Sequence, residues 1–533
     1  MARRSRRGHL AALGALALLA VTACGADDGV TTEHADAGPG GVEVITDPAT
    51  TDPSDTTGST DPAVETSSSD PGLALPPGVG ALDWLAYGED TDTSILTVPV
   101  DYDDPEGASF DLLVARHRAH DPEERIGSLL VNPGGPGFGG TDFALAAEHV
   151  FQDPILEHFD IVAWDPRGTG LSLPAIDCID DYDAFFGALD ITPDDEAERQ
   201  AIVDNSTDLT EACVTKNADI LDHVGTNDSA RDIDSLRRAL GEETISYFGF
   251  SYGSELGATW ATLFPETVRA AVLDGAVDPE AGTLQQEVQQ QEGFEGTLDA
   301  FLTQCGADPG CAFNNGGKAA AAYDVLMDGL DEQPIPSSQG RPDVNRAVAR
   351  QASIQAMYND DLYWGPFADA LAAAQDGDGA GLLAMYDDYF QRAPDGTWGN
   401  ELEAFLTISC MDRSDRPTVA DYDATMPEIS AVAPRLTPPG TNSDYQCAFF
   451  PPSKNPRATI TGAGVGPIVV VGTTGDPATP LASTRRMAAA LEDGRLIVVT
   501  AETHTGYGES ACGDDLIHGY LVDLEAPPAE TDC

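Results

Sequence analysis

Apolar positions along the chain fall into two spacings. Short, mostly apolar runs at 127–131 (GSLLV), 159–164 (FDIVAW), 245–250 (ISYFGF), 268–273 (VRAAVL), 467–471 (PIVVV) and 495–500 (RLIVVT) read as buried strands. Between them, apolar residues recur three and four positions apart, as at Ile233, Leu236 and Leu240 and in LGATWATLF at 256–264, the spacing of helices. Ser94 to Val100 and Phe110 to Ala115 flank the turn-rich DYDDPEGA, a hairpin pattern. Strands alternating with helices predict an α/β fold, a mostly parallel sheet covered by helices on both faces. From 281 to 400 the pattern turns Gln-, Ala- and aromatic-rich, with helical segments such as YWGPFADAL at 363–371, and predicts an α-helical cap lying over the strand ends. The sheet pattern occupies 76–280 and resumes over 401–533.

The first 75 residues follow neither spacing. Arg3, Arg4, Arg6 and Arg7 precede an apolar stretch, Leu10 to Val21, that is too short for a comfortable membrane span. With VTAC at 21–24, this layout predicts an export signal over 1–23, cleaved before Cys24, whose thiol is then diacylated; the plainer alternative is a secretory signal with an incidental cysteine. Residues 24–75 contain no aromatic residue, lysine or arginine, and are rich in Asp, Thr, Ser, Pro and Gly. Such a stretch cannot bury enough apolar surface to offset its ordering entropy, and predicts a solvated tether. The expected location is the outer face of the plasma membrane, anchored only by the lipid on Cys24, or the secreted space.

Charge narrows the partners. The chain has 27 basic and 90 acidic residues, a formal net charge of −63, and its only lysines are Lys216, Lys318 and Lys454. That balance argues against a nucleic-acid or anionic-membrane surface. Of nine cysteines, eight remain if Cys24 is lipidated, an even number that predicts four disulfides in an exported protein. Sequence leaves their connectivity open; pairing within local regions gives Cys178–Cys213, Cys305–Cys311, Cys410–Cys447 and Cys512–Cys533. No C-x-x-C is present and the histidines are scattered, so no metal site is expected.

The chemistry centres on Gly249-Phe250-Ser251-Tyr252-Gly253, which joins an apolar run to a helical pattern. Such a turn exposes a serine hydroxyl above a sheet, making Ser251 the candidate nucleophile. A hydroxyl is a poor nucleophile near neutral pH and needs a histidine to take its proton. His504 follows a strand, as does Asp476, and only His518 also lies beyond the serine. The order Ser251, Asp476, His504 gives nucleophile, orienting acid and base. Another buried run leads into Asn132-Pro133-Gly134-Gly135-Pro136-Gly137. Backbone N–H groups of Gly135 and Tyr252 are the candidate donors to the charge of a tetrahedral intermediate.

Taken in order, NPGGPG, DPRGTG at 165–170, GFSYGS, GDPATP and the His504 loop resemble the proline iminopeptidase and tripeptidyl aminopeptidase branch of the α/β-hydrolases, in its secreted actinobacterial form. ILTVPVDY at 95–102 and ISCMDR at 408–413 extend the resemblance over about 80–533. It differs in having Pro133 where the family's glycine loop commonly begins with histidine. The resemblance implies a peptidase releasing short peptides or amino acids from a free N-terminus, without metal or organic cofactor; a monomer is expected. An acidic group must then pair with the substrate ammonium, and Asp412 and Glu255 are candidates, with an ion pair to Arg413 and a buried helix contact as their structural alternatives. Two rivals stand beside the peptidase: an esterase or amidase with the same triad, and a surface lipoprotein that binds without catalysis.

Overall fold

The computed structural model describes residues 73–337, 340–441 and 445–533. The expected signal segment, Cys24 and all but the last three residues of the tether lie outside the described residues. Among the described residues, ten strands form one sheet: β1 (Leu85–Ala86), β2 (Thr91–Pro99), β3 (Ser109–His117), β4 (Gly127–Asn132), β5 (Phe159–Trp164), β6 (Ile245–Phe250), β7 (Val268–Asp274), β8 (Ile468–Thr473), β9 (Gly494–Val499) and β10 (Glu530–Asp532). Their spatial order is β1-β2-β3-β5-β4-β6-β7-β8-β9-β10. The pairs β1–β2, β2–β3 and β3–β5 are antiparallel, and every pair from β5 onward is parallel. The sheet reverses order between β5, β4 and β6, the kind of switch point beside which α/β sheets place their ligands.

The apolar runs form strands because helices cover both faces. In β5, Val162 and Trp164 join one cluster with Ile233, Leu236, Leu256 and Trp260. Their neighbours Ile161 and Ala163 point into the other, with Ile155, Ile517 and Leu521. Period-two alternation therefore survives inside a run that reads as uniformly apolar. Burial removes all but a trace of these side chains from water, at roughly 1.5–3 kcal/mol for each large apolar one.

Between β7 and β8 the chain is helical. The helices Thr283–Ala307, Ala319–Glu332, Arg346–Met357, Asp360–Gln375 and Ala380–Tyr389 share a separate core that includes Phe294, Leu298, Tyr323, Phe367 and Tyr386. Helical structure does not stop at residue 400: Glu401–Asp412, Val419–Val432 and a short turn at Gln446–Phe449 follow before β8. What changes there is the packing, since Ala404, Ile408 and Met411 belong to the core of the sheet.

Four disulfides are present, Cys178–Cys213, Cys305–Cys311, Cys410–Cys447 and Cys512–Cys533. Such bridges persist outside the reducing cytoplasm. No helix among the described residues is long and apolar enough to cross a membrane. A buried ion pair fixes the DPRGTG turn: Arg167 Nε and Nη2 donate to the two Asp232 carboxylate oxygens at 2.8 and 2.7 Å, with both side chains fully buried. Its remaining donors go to the Val100, His223 and Pro99 carbonyls, so no charge or proton of the guanidinium is left unpaired.

Candidate active site

β6 ends at Phe250 and the helix Tyr252–Leu263 begins two residues later, leaving Ser251 to turn the corner. Ser251 has φ 54° and ψ −124°, a left-handed conformation that costs a serine about 1–3 kcal/mol. The surrounding contacts leave no alternative. A Cβ on Gly249 would fall 2.2 Å from the Gly253 carbonyl oxygen, and one on Gly253 would fall 2.6 Å from that of Asn132. Both flanking glycines are therefore required by contact. The Ser251 N–H donates to the Asp274 carbonyl at 2.8 Å, and its own carbonyl accepts from the Ser254 N–H at 2.9 Å.

The glycine loop after β4 lies against this corner. A Cβ on Gly134, whose φ is +106°, would sit 2.8 Å from the Ser251 Cβ and 2.6 Å from the Phe250 carbonyl oxygen. Gly134 spends its N–H on Asn132 Oδ1 at 3.0 Å. Gly135 follows with φ +111°.

Asp476 and His504 stand beyond the ends of β8 and β9, neighbouring parallel strands. Asp476 Oδ1 accepts from the N–H groups of Ala478 and Thr479 at 3.0 and 2.8 Å, and Oδ2 accepts from the Thr479 hydroxyl at 2.8 Å. Held by these donors, Oδ1 lies 2.8 Å from His504 Nδ1. Burial pushes the imidazole pKa down, but the charge and hydrogen bond of Asp476 outweigh it, and the net shift is upward. His504 Nε2 is buried without a hydrogen-bond partner, so its bond to the serine is not formed in this structure. Such bonds often close only around a substrate. The competing histidine, His518, is occupied: its Nε2 lies 3.0 Å from the Tyr507 hydroxyl, and burial lowers its pKa.

Asp274 ties these parts together, and sequence reasoning gave it no role. At the end of β7, its carbonyl holds Ser251 while its carboxylate accepts from the N–H groups of Gly506 and Tyr507, both at 2.8 Å. One residue thus registers the Ser251 turn against the His504 loop. Burial raises its carboxyl to about 6, against the lowering effect of the two amide donors. The only sequence signal was an acid closing an apolar strand. From the helical segment between β7 and β8, Tyr358 offers its carbonyl to the His504 N–H at 3.2 Å and packs its ring edge-on against the imidazole at 5.5 Å.

Asp412 and Glu255 are both buried, and their oxygens are engaged. Asp412 accepts from the Thr226 N–H at 2.7 Å and from its hydroxyl, which also meets the Tyr252 hydroxyl. Glu255 pairs with Arg457. Arg413 turns instead to the Ala281 carbonyl at 2.7 Å, so it is not Asp412's partner. Burial raises the Asp412 carboxyl to about 7.

A serine on a strand-to-helix corner, with an Asp–His pair on neighbouring strand ends of a mostly parallel sheet, defines a serine hydrolase of the α/β type. The family described as alpha/beta hydrolase fold matches residues 127–511, and the chain belongs to it. It is 35% identical over 453 residues to "Serine protease Hip1" of Mycobacterium tuberculosis, covering 82% of this chain and 86% of that one. To "Carboxylesterase B" of the same species it is 33% identical over 456 residues, 82% and 85% of the two chains. To "Tripeptidyl aminopeptidase" of Streptomyces coelicolor it is 29% identical over 441 residues, 80% of each.

Proposed function

We propose that the protein is an exported serine exopeptidase that releases short peptides or amino acids from the free N-terminus of peptides. The observation that carries this reading is the pairing of a strained Ser251 corner with a buried Asp476–His504 bond, both keyed to Asp274. Ser251 Oγ attacks the scissile carbonyl while His504 Nε2 takes its proton, and Asp476 stabilises the imidazolium. The N–H groups of Gly135 and Tyr252 receive the oxyanion; Gly134 cannot serve, because its own N–H is spent on Asn132. His504 then protonates the leaving amine, and water cleaves the acyl-enzyme by the same steps. These steps use water and groups of the chain itself. The named serine protease and tripeptidyl aminopeptidase relatives favour peptide bonds. We read Asp412 and Glu255 as supports of the elbow helix rather than ligands of the substrate amine, because Thr226 and Arg457 already occupy them.

The carboxylesterase relative favours a second reading, hydrolysis of small acyl esters by the same triad. Fluorophosphonate labelling beside Ser251→Ala, then turnover of tripeptidyl and prolyl reporter amides with free and acetylated N-termini, separates the two. Labelling lost in the variant, with turnover abolished by the acetyl block, supports the exopeptidase. Turnover indifferent to the block transfers the reading to the esterase, and an unlabelled parent protein overturns both.

A further inference from the structure

Away from the triad, the end of β3 brings together the one group of three metal-ligating side chains found among the described residues: His117, His120 and Glu148. Their donor atoms lie within 4.8 Å of one another. His120 Nε2 is 2.7 Å from Glu148 Oε1, and His117 Nε2 is 3.3 Å from the same oxygen. The strand's pleat separates this group from the neighbouring cations. Arg116 and Arg118 turn to Asp92, at 2.6 and 2.8 Å, while His117 between them faces the other way. The backbone also fixes the second histidine, whose N–H donates to the Leu156 carbonyl at 2.9 Å.

His117 is the informative member. It is 3% exposed, and its Nδ1 has no hydrogen-bond partner. A buried imidazole with one unpaired nitrogen is costly, and its other nitrogen converges with a second imidazole on a single carboxylate oxygen. His120 Nε2 is within ordinary hydrogen-bond distance of that oxygen, while His117 Nε2 has only the longer contact. A metal ion between them takes all three converging atoms as ligands at once, and the ring proton of His117 then stands on Nδ1. Zinc bonds imidazole nitrogen at about 2.0–2.1 Å and carboxylate oxygen at about 2.0–2.2 Å, so tetrahedral ligands stand roughly 3.3 Å apart. Small shifts of the exposed His120 and Glu148 side chains, 35% and 53% accessible, bring the set to that spacing.

We propose that His117, His120 and Glu148 form a zinc-class metal site whose fourth ligand is water from the open side. Two imidazoles favour zinc, nickel or copper over calcium or magnesium, which prefer all-oxygen shells. The ion is not part of the peptidase chemistry. His117 is paired with Thr91 and Ile161, toward the edge where β5 begins, whereas Ser251 follows the opposite end of the parallel strand β6. It acts as a clamp, joining the end of β3 and its loop to the short helix Ala147–Val150 that carries Glu148. Binding to the folded chain alone raises stability by mass action.

The test uses the full chain, stripped with chelator and titrated with zinc chloride near pH 7.5. Calorimetry on the parent is compared with His120→Ala and Glu148→Gln, both exposed enough to leave the fold intact, and with His149→Ala as a neighbour outside the set. Cobalt(II) absorption in the visible supplies a second reading of coordination geometry. The expected result is one zinc per chain, at least tenfold weaker in His120→Ala and Glu148→Gln and unchanged in His149→Ala. A zinc-dependent rise in Tm accompanies it, lost in the same two variants. Magnesium has no effect. Zinc binding equal in all four proteins, as diffuse association with an acidic surface gives, overturns the proposal, and so does a parent that binds no zinc at micromolar concentration.

Discussion

Gly134 leaves no room for even a methyl group. A Cβ there meets the Ser251 side chain at 2.8 Å and the Phe250 carbonyl at 2.6 Å, in a backbone conformation that L-residues avoid. Gly134→Ala is therefore expected to push the glycine loop off the elbow and lower kcat about 100-fold or more while the fold persists, read by steady-state kinetics beside circular dichroism. Asp476→Asn replaces a charged partner with a neutral amide that can present the wrong hydrogen-bonding group to Nδ1. Its kcat is expected to fall by about 10⁴. Because the folded imidazole titrates above its ordinary value, kcat/KM in the parent should decline as pH drops through that raised value. Weakening the Asp476 charge should move this limb toward lower pH, and a limb that stays fixed in Asp476→Asn contradicts the assignment of His504 as base.

Among elements, the parallel strands were legible because burial on two faces leaves an unmistakable apolar run, as in PIVVV before Asp476. The elbow was legible because its constraints are local: glycines on either side of Ser251 answer contacts within a few residues and with one neighbouring loop. Asp274 and Tyr358 were not legible, since each acts on His504 from a distant part of the chain and neither belongs to a local pattern. Asp412 shows the same limit from the other side. An acid in a distinctive segment invites a substrate role, while its engagement by Thr226 is visible only in three dimensions. The helix that bears Asp412 is also tethered by Cys410–Cys447, a loop with a sequence separation of 37. The double variant Cys410→Ser/Cys447→Ser is expected to lose about 3–4 kcal/mol, measured as a lowered urea midpoint. An unchanged midpoint shows that packing alone holds this helix.

For the whole molecule, acidity is the dominant variable. Burial holds the carboxyl of Asp274 at about 6 and those of Glu401, Glu403, Asp412 and Glu509 at about 7, all above the range of an unfolded chain. The folded protein thus keeps protons near pH 5 that the unfolded chain has released. Stability from these groups is complete below the unfolded carboxyl range, near pH 4, and is lost as pH rises through 6 to 7. A net charge of −63 acts in the same direction, because protonation relieves self-repulsion. The unfolding midpoint in urea should accordingly be higher near pH 5 than near pH 8, and a midpoint that climbs with pH over this interval speaks against these protonations.

The helical segment leaves the sheet after β7 and returns at β8, and these two strands are paired neighbours. Asp274, which aligns the serine corner with the histidine loop, is the last residue of β7 and stays in the sheet, in register with Val471 of β8. The segment inserted between two adjacent strands thus leaves their pairing intact, while Tyr358 carries it onto His504 by a carbonyl and a ring edge, so any change in its length or sequence has that contact to preserve.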